Sequence, residues 1–114
     1  MTDQMKCAKD VAKWLAKHEI QEDTSIYVDH KRYSVDKDGN LVYDIDAEPR
    51  AYFEFAGDFL SMSFEGPLYD ILNHYDDFVP GYDEKREAEL SKIFEKYGKY
   101  YELGNAWNLS LYSI

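Results

Sequence analysis

A chain of 114 residues that is 45% hydrophobic and 17% aromatic holds enough apolar mass for one folded domain over residues 1–114, and too much for a disordered acidic tail. Its formal net charge of −10 is uneven: residues 1–18 sum to +2, residues 19–84 to −13 and residues 85–114 to +1. An acidic middle of that size argues against direct binding of nucleic acid or of anionic membrane surfaces, and favours basic partners whose association slows with salt.

From Met5 to Lys17, the residues Ala8, Val11, Ala12 and Leu15 recur at helical spacing beside Trp14, with Thr2 or Asp3 placed to cap the start. Lys6, Lys9, Lys13 and Lys17 make one stripe largely away from that apolar face and read as its solvated side. Between Ser25 and Asp46 the period changes to two. Ser25–Val28 and Arg32–Val35 flank an Asp29-His30-Lys31 turn, and the tight turn Asp36–Asn40 leads into Leu41–Asp46. Pro49 interrupts the pattern. Ala51–Ala56 and Phe59–Phe64 alternate around Gly57-Asp58, which predicts a hairpin at the centre of the sheet.

Gly66-Pro67 opens a short helix whose buried face is Leu68, Ile71, Leu72 and Tyr75. After a loop with Pro80-Gly81, a last helix is predicted from about Asp83 to Tyr97, with Leu90, Ile93, Phe94 and Tyr97 inside and Gly98 as its stop. The C-terminal stretch alternates again, so that Trp107, Leu109 and Leu111 are expected on one face, with Gly104-Asn105 as a turn or bulge. The fold class is therefore α+β. A mainly antiparallel sheet, a meander of four to five strands plus a C-terminal strand or hairpin, carries three helices.

Cys7 is the single cysteine, so no internal disulfide forms and a reducing, cytoplasmic setting is expected; no window approaches eighteen apolar residues. Cys7 near a helix start is weighed as a nucleophile against a small packed residue, and the second reading is preferred because His18, His30 and His74 are not placed near it by the sequence. The stretch Asp36, Asp38, Asn40 begins like a calcium loop, but Leu41 and Ala47 stand where glycine and the bidentate glutamate belong. No zinc spacing and no phosphate-binding glycine loop occur, so neither a metal nor another cofactor is expected.

The carboxylates remain. Alternation would set Asp44, Asp46 and Glu48 on one face at intervals of about 6.7 Å. Asp36 and Asp38 flank the neighbouring turn, and Asp76, Asp77, Asp83 and Glu84 gather around the later loop. Acidic edges give solubility and block edge pairing; a regular carboxylate row can also imitate a phosphate backbone. In size, low pI, single cysteine and richness in tyrosine, the chain resembles small acidic inhibitors of phages and mobile elements, such as antirestriction and anti-CRISPR proteins. That resemblance implies a protein partner that itself binds nucleic acid. The reading is thus a non-enzymatic binding protein whose acids, Asp36, Asp38, Asp44, Asp46, Glu48, Asp76, Asp77, Asp83 and Glu84, face a basic protein. The alternatives are a small hydrolase-like enzyme using a carboxylate pair or His74 in an aromatic-lined cleft, and an accessory domain of a homo-oligomer joined at the edge of the strand Trp107–Ile114.

Overall fold

In the computed structural model the described residues are 1–53, 56–73 and 82–114, with 82 and 83 given by their backbone alone. Helix α1 spans Asp3–Lys17, two residues earlier than the apolar pattern suggests, because Thr2 Oγ1 accepts the Met5 N–H at 3.2 Å and caps it there. Its C-terminus closes through two backbone bonds, Ile20 N–H to Leu15 C=O at 2.9 Å and Glu19 N–H to Ala16 C=O at 3.0 Å. This is a Schellman closure, with Ile20 and Leu15 packed in the core and Glu19 held at φ +56° where glycine is usual. The remaining helices are α2, Pro67–Asn73, and α3, Tyr82–Glu95, which Gly98 follows at φ +73°.

The strands are β1 (Thr24–Val28), β2 (Lys31–Val35), β3 (Leu41–Asp46), β4 (Ser61–Phe64), β5 (Lys99–Leu103) and β6 (Asn108–Ser113). They form one six-stranded sheet, all neighbours antiparallel, in the order β3-β2-β1-β4-β6-β5. The α+β assignment therefore holds, with four strands before α2 and a C-terminal hairpin. One face of the sheet, through Ile26, Val28, Val35, Met62, Phe64, Leu109 and Leu111, shares a single buried cluster with residues of all three helices. Cys7, Val11 and Leu15 come from α1, Leu68 and Ile71 from α2, and Leu90 and Phe94 from α3.

Three expectations change. Residues 51–53 are not a strand: Pro49–Ala51 is a 3₁₀ turn, and β4 already has β1 on one side and β6 on the other. No edge of β4 is left for a hairpin partner. Phe53 instead crosses to the second face of the sheet, where it packs with Tyr27 and Ala47. Trp107 lies in the turn before β6 and joins that same second cluster, rather than the face of Leu109 and Leu111. Finally, β6 is an interior strand, so among the described residues the free edges of the sheet belong to β3 and β5. No helix among the described residues is long and apolar enough to cross a membrane.

Candidate binding surface

Among the described residues strand β3 pairs with β2 alone, which leaves its second backbone edge open. Its side chains are unusually exposed for their chemistry: Val42 by 44%, Tyr43 by 53% and Ile45 by 39%. Tyr52, from the turn beyond it, is exposed by 44%. The acids sit among these apolar groups. Register shows how: Tyr33 faces Tyr43 and Arg32 faces Ile45, so Asp44 is an extra, bulged residue.

The bulge breaks the even carboxylate row. Asp44 Oδ2 accepts from Arg32 Nη2 at 2.6 Å and from Nε at 2.9 Å, and that guanidinium lies over the Tyr52 ring at 5.4 Å. Asp46 instead accepts from the Tyr43 hydroxyl at 2.9 Å, on a ring that meets Tyr33 edge-on. Glu48 lies past the strand and bonds His30 Nδ1. Asp44 and Asp46 thus turn toward different faces, and the spacing expected from alternation is absent. Asp36 serves its own turn, taking the N–H groups of Asp38 and Asn40 at 2.9 Å each, and the Asn40 bonds hold its carboxyl below the usual carboxylate range. The Asp38 carbonyl accepts from Lys13 Nζ at 3.3 Å, which docks this turn on α1. Glu84 is exposed in the first turn of α3, and Asp83 precedes it on the same helix. Asp76, Asp77 and His74 lie outside the described residues.

A cleft of about 430 Å³ adjoins the acidic edge, lined by Asp29, His30, Glu48, Arg50, Asp58 and Tyr27 among others. The β1–β2 turn that forms its lip has Asp29 at φ +54° and His30 at φ +60°, the left-handed pair a two-residue hairpin of this twist requires. Ala47 N–H donates to the His30 carbonyl at 2.9 Å, which brings Glu48 against the imidazole. That dyad is a pairing the sequence reading did not name. Counting outward from the Asp36–Asn40 turn along the β2–β3 hairpin would have placed residue 30 near 47 and 48.

Two other titratable groups are committed elsewhere. Cys7 is fully buried, and burial pushes its thiol up to about 12, so it packs as a small apolar group. His18 lies 3.3 Å from Glu89 between α1 and α3, its pKa lowered chiefly by burial. Among the described residues, no group of three or more His, Cys, Asp or Glu converges as metal ligands would. Comparison with protein-family models, with characterised proteins and with solved structures found no match to the chain.

Proposed function

We propose that the protein is a non-enzymatic binding protein whose acidic, tyrosine-bearing β3 edge engages a basic protein partner. The observation that carries this is the open edge itself, where Val42, Tyr43 and Ile45 stand exposed on the same strand as Asp44 and Asp46, with Glu48 just beyond it. Exposed aromatic and branched side chains supply contact area, tyrosine is a frequent interface anchor, and the flanking acids select for positive charge and speed encounter. The partner of the inhibitor reading is a nucleic-acid-binding protein. Because the bulge removes an even phosphate-like spacing, imitation of nucleic acid would rest on net charge rather than on a matched row.

The test is affinity capture from cell lysate with the wild-type chain and with Tyr43→Ala/Asp46→Lys, each eluted by stepwise salt and repeated with excess duplex DNA. A basic protein held by the wild type, lost in the variant and eluted by salt supports the reading; displacement by DNA adds the inhibitor form. Identical captures by the two chains would refute it.

One observation favours a second reading, that of a small enzyme: the cleft gathers His30, Glu48, Asp29, Arg50 and Asp58 around one cavity. A His–carboxylate pair is the usual arrangement for moving a proton. Loss of a screened hydrolytic activity in His30→Ala would separate that reading from the first.

A further inference from the structure

An unpaired sheet edge leaves a row of backbone donors and acceptors without partners, and folded proteins cover, shorten or charge such edges. Among the described residues the sheet has two, β3 and β5. On β3 the open groups can be assigned one by one. Opposite residues of an antiparallel pair alternate between exchanging N–H···O bonds and pointing those groups away from each other. The β2–β3 hairpin is bonded at both ends: Asp36 N–H donates to the Asn40 carbonyl at 3.1 Å, and Ala47 N–H to the His30 carbonyl at 2.9 Å. Counting inward from the first bond, the unbonded pairs are Val35 with Leu41 and Tyr33 with Tyr43; from the second, the unbonded pair is Lys31 with Asp46. The backbone N–H and C=O groups of Leu41, Tyr43 and Asp46 therefore point outward, along the plane of the sheet and away from β2.

The surroundings of those groups select among occupants. Strand β3 contains neither the lysine nor the proline that commonly blunts an edge. Residues 36–48 hold five acids and the one base Lys37, a net charge of −4. Asp44 has Arg32 as its counter-charge, whereas Asp46 is bonded by the uncharged Tyr43 hydroxyl. A second copy of this chain, paired edge to edge through β3, would set −4 against −4 and bring like charges together across the seam. Nucleic acid is turned away by the same charge. A helix laid along the edge would leave the outward groups of Leu41, Tyr43 and Asp46 to water, while an extended chain bonds them directly. The edge of β5 makes no such selection, because Lys99 and Glu102 cancel within it.

Resting on the reading of β3 as the binding edge, we infer that the segment it takes from its partner is an extended, basic peptide that adds to the sheet as a seventh strand beside β3. Main-chain bonds to Leu41, Tyr43 and Asp46 hold the segment in register and are indifferent to its sequence. Charge supplies the selection: lysine or arginine on the added strand meets Asp46 on one face of the sheet and the Asp44 side on the other. The exposed side chains of Val42, Tyr43 and Ile45 gain cross-strand neighbours, which favours β-branched residues between the basic ones. The bulge at Asp44 interrupts the edge between Tyr43 and Ile45, so the added strand is bonded in two short stretches rather than one.

The experiment titrates the full chain with three end-blocked peptides: Thr-Lys-Val-Arg-Val-Lys-Thr, the same with proline for both valines, and the same with glutamate for each basic residue. Amide NMR shifts give affinity, and hydrogen–deuterium exchange gives geometry. The expected result is saturable binding of the first peptide. At saturation, exchange slows about tenfold or more at Leu41, Tyr43 and Asp46 and changes little at Val42 and Ile45, whose N–H groups face β2. The proline peptide, equal in charge but unable to continue a strand, binds about tenfold or more weakly, and the glutamate peptide does not bind. Asp46→Lys, at an exposed position, weakens the basic peptide by a similar factor. Equal affinity for the basic and proline peptides without protection of the three amides overturns strand addition and leaves charge recognition at β3 standing. No saturable binding of either basic peptide overturns both. Protection of the same amides in the peptide-free chain, with a dimer mass by sedimentation, gives the edge to a second copy and overturns the inference.

Discussion

Removing one hydroxyl group between the first and last helices tests the account of how α1 and α3 are locked together. Tyr97, just past α3, donates its hydroxyl to Asp10 Oδ2 at 2.5 Å, and Lys96 Nζ reaches the same oxygen at 3.0 Å. Burial works to raise the Asp10 pKa, but the bonds from Tyr97 and Lys96 outweigh it and leave the carboxyl below its ordinary 3.8. In Tyr97→Phe the ring and its packing stay while this bond goes. A hydrogen bond to a charged acceptor contributes roughly 1.5–3 kcal/mol, and the low end applies because the Asp10 side chain is 37% exposed and keeps Lys96.

The expected loss is therefore about 1.5 kcal/mol at pH 7, or about 6 °C in Tm for a chain of this length. A carboxyl whose folded pKa is depressed adds stability above its unfolded pKa, and that contribution disappears as pH falls through the folded value. The gap between wild type and variant should accordingly narrow as pH drops toward and below 3.8. Thermal unfolding followed by circular dichroism at pH 7 and at the lowest pH that keeps both chains folded measures this. Carboxyl NMR should also show the Asp10 pKa rising in the variant. A Tm change below about 2 °C at pH 7, or an equal loss at both pH values, would refute the reasoning.

Three further outcomes are expected. Glu19→Gly should raise stability by about 0.5–1 kcal/mol in chemical denaturation, since Glu19 holds a left-handed φ of +56° at the helix end; a destabilised variant would contradict it. Gly66→Ala should cost about 1–3 kcal/mol, because a Cβ there would stand 2.4 Å from the Glu22 carbonyl oxygen, a backbone atom that cannot swing aside; an unchanged urea midpoint would show that the loop yields. Cys7, with its thiol raised to about 12 by burial, should resist a thiol reagent at pH 8 in the native chain and react at once in denaturant; fast native labelling would mean that α1 opens readily.

What the sequence discloses follows from how local each signal is. Helix α1, the β1–β2 and Asp36–Asn40 turns and the Gly98 stop depend on residues within a few positions of one another, and all are where periodicity and turn chemistry place them. The supposed strand at 51–56 reads well alone, with Ala51, Phe53 and Phe55 alternating. It loses at residues 51–53 because β4 finds β1 and β6, a competition between segments some forty residues apart that no local window contains. The same limit hides the site. Acids at 44, 46 and 48 look evenly spaced in the chain, yet a single bulged residue sends Asp44 to Arg32 and Asp46 to Tyr43.

The strand order also decides where the chain's search for its native state is slow. The meander β1–β2–β3 and the hairpin β5–β6 each close through short turns and need no help from distant sequence. Strand β4 has no neighbour of this kind. Four residues, Ser61–Phe64, must align with Thr24–Tyr27 on one flank and with Asn108–Ser110 on the other. Nearly all of the loop-closure entropy is thus concentrated in seating one short strand. Changes that weaken β4 pairing should slow folding more than changes of equal cost in either outer hairpin, so the rate of folding reports on Ser61–Phe64 while the outer strands set mainly how fast the sheet comes apart.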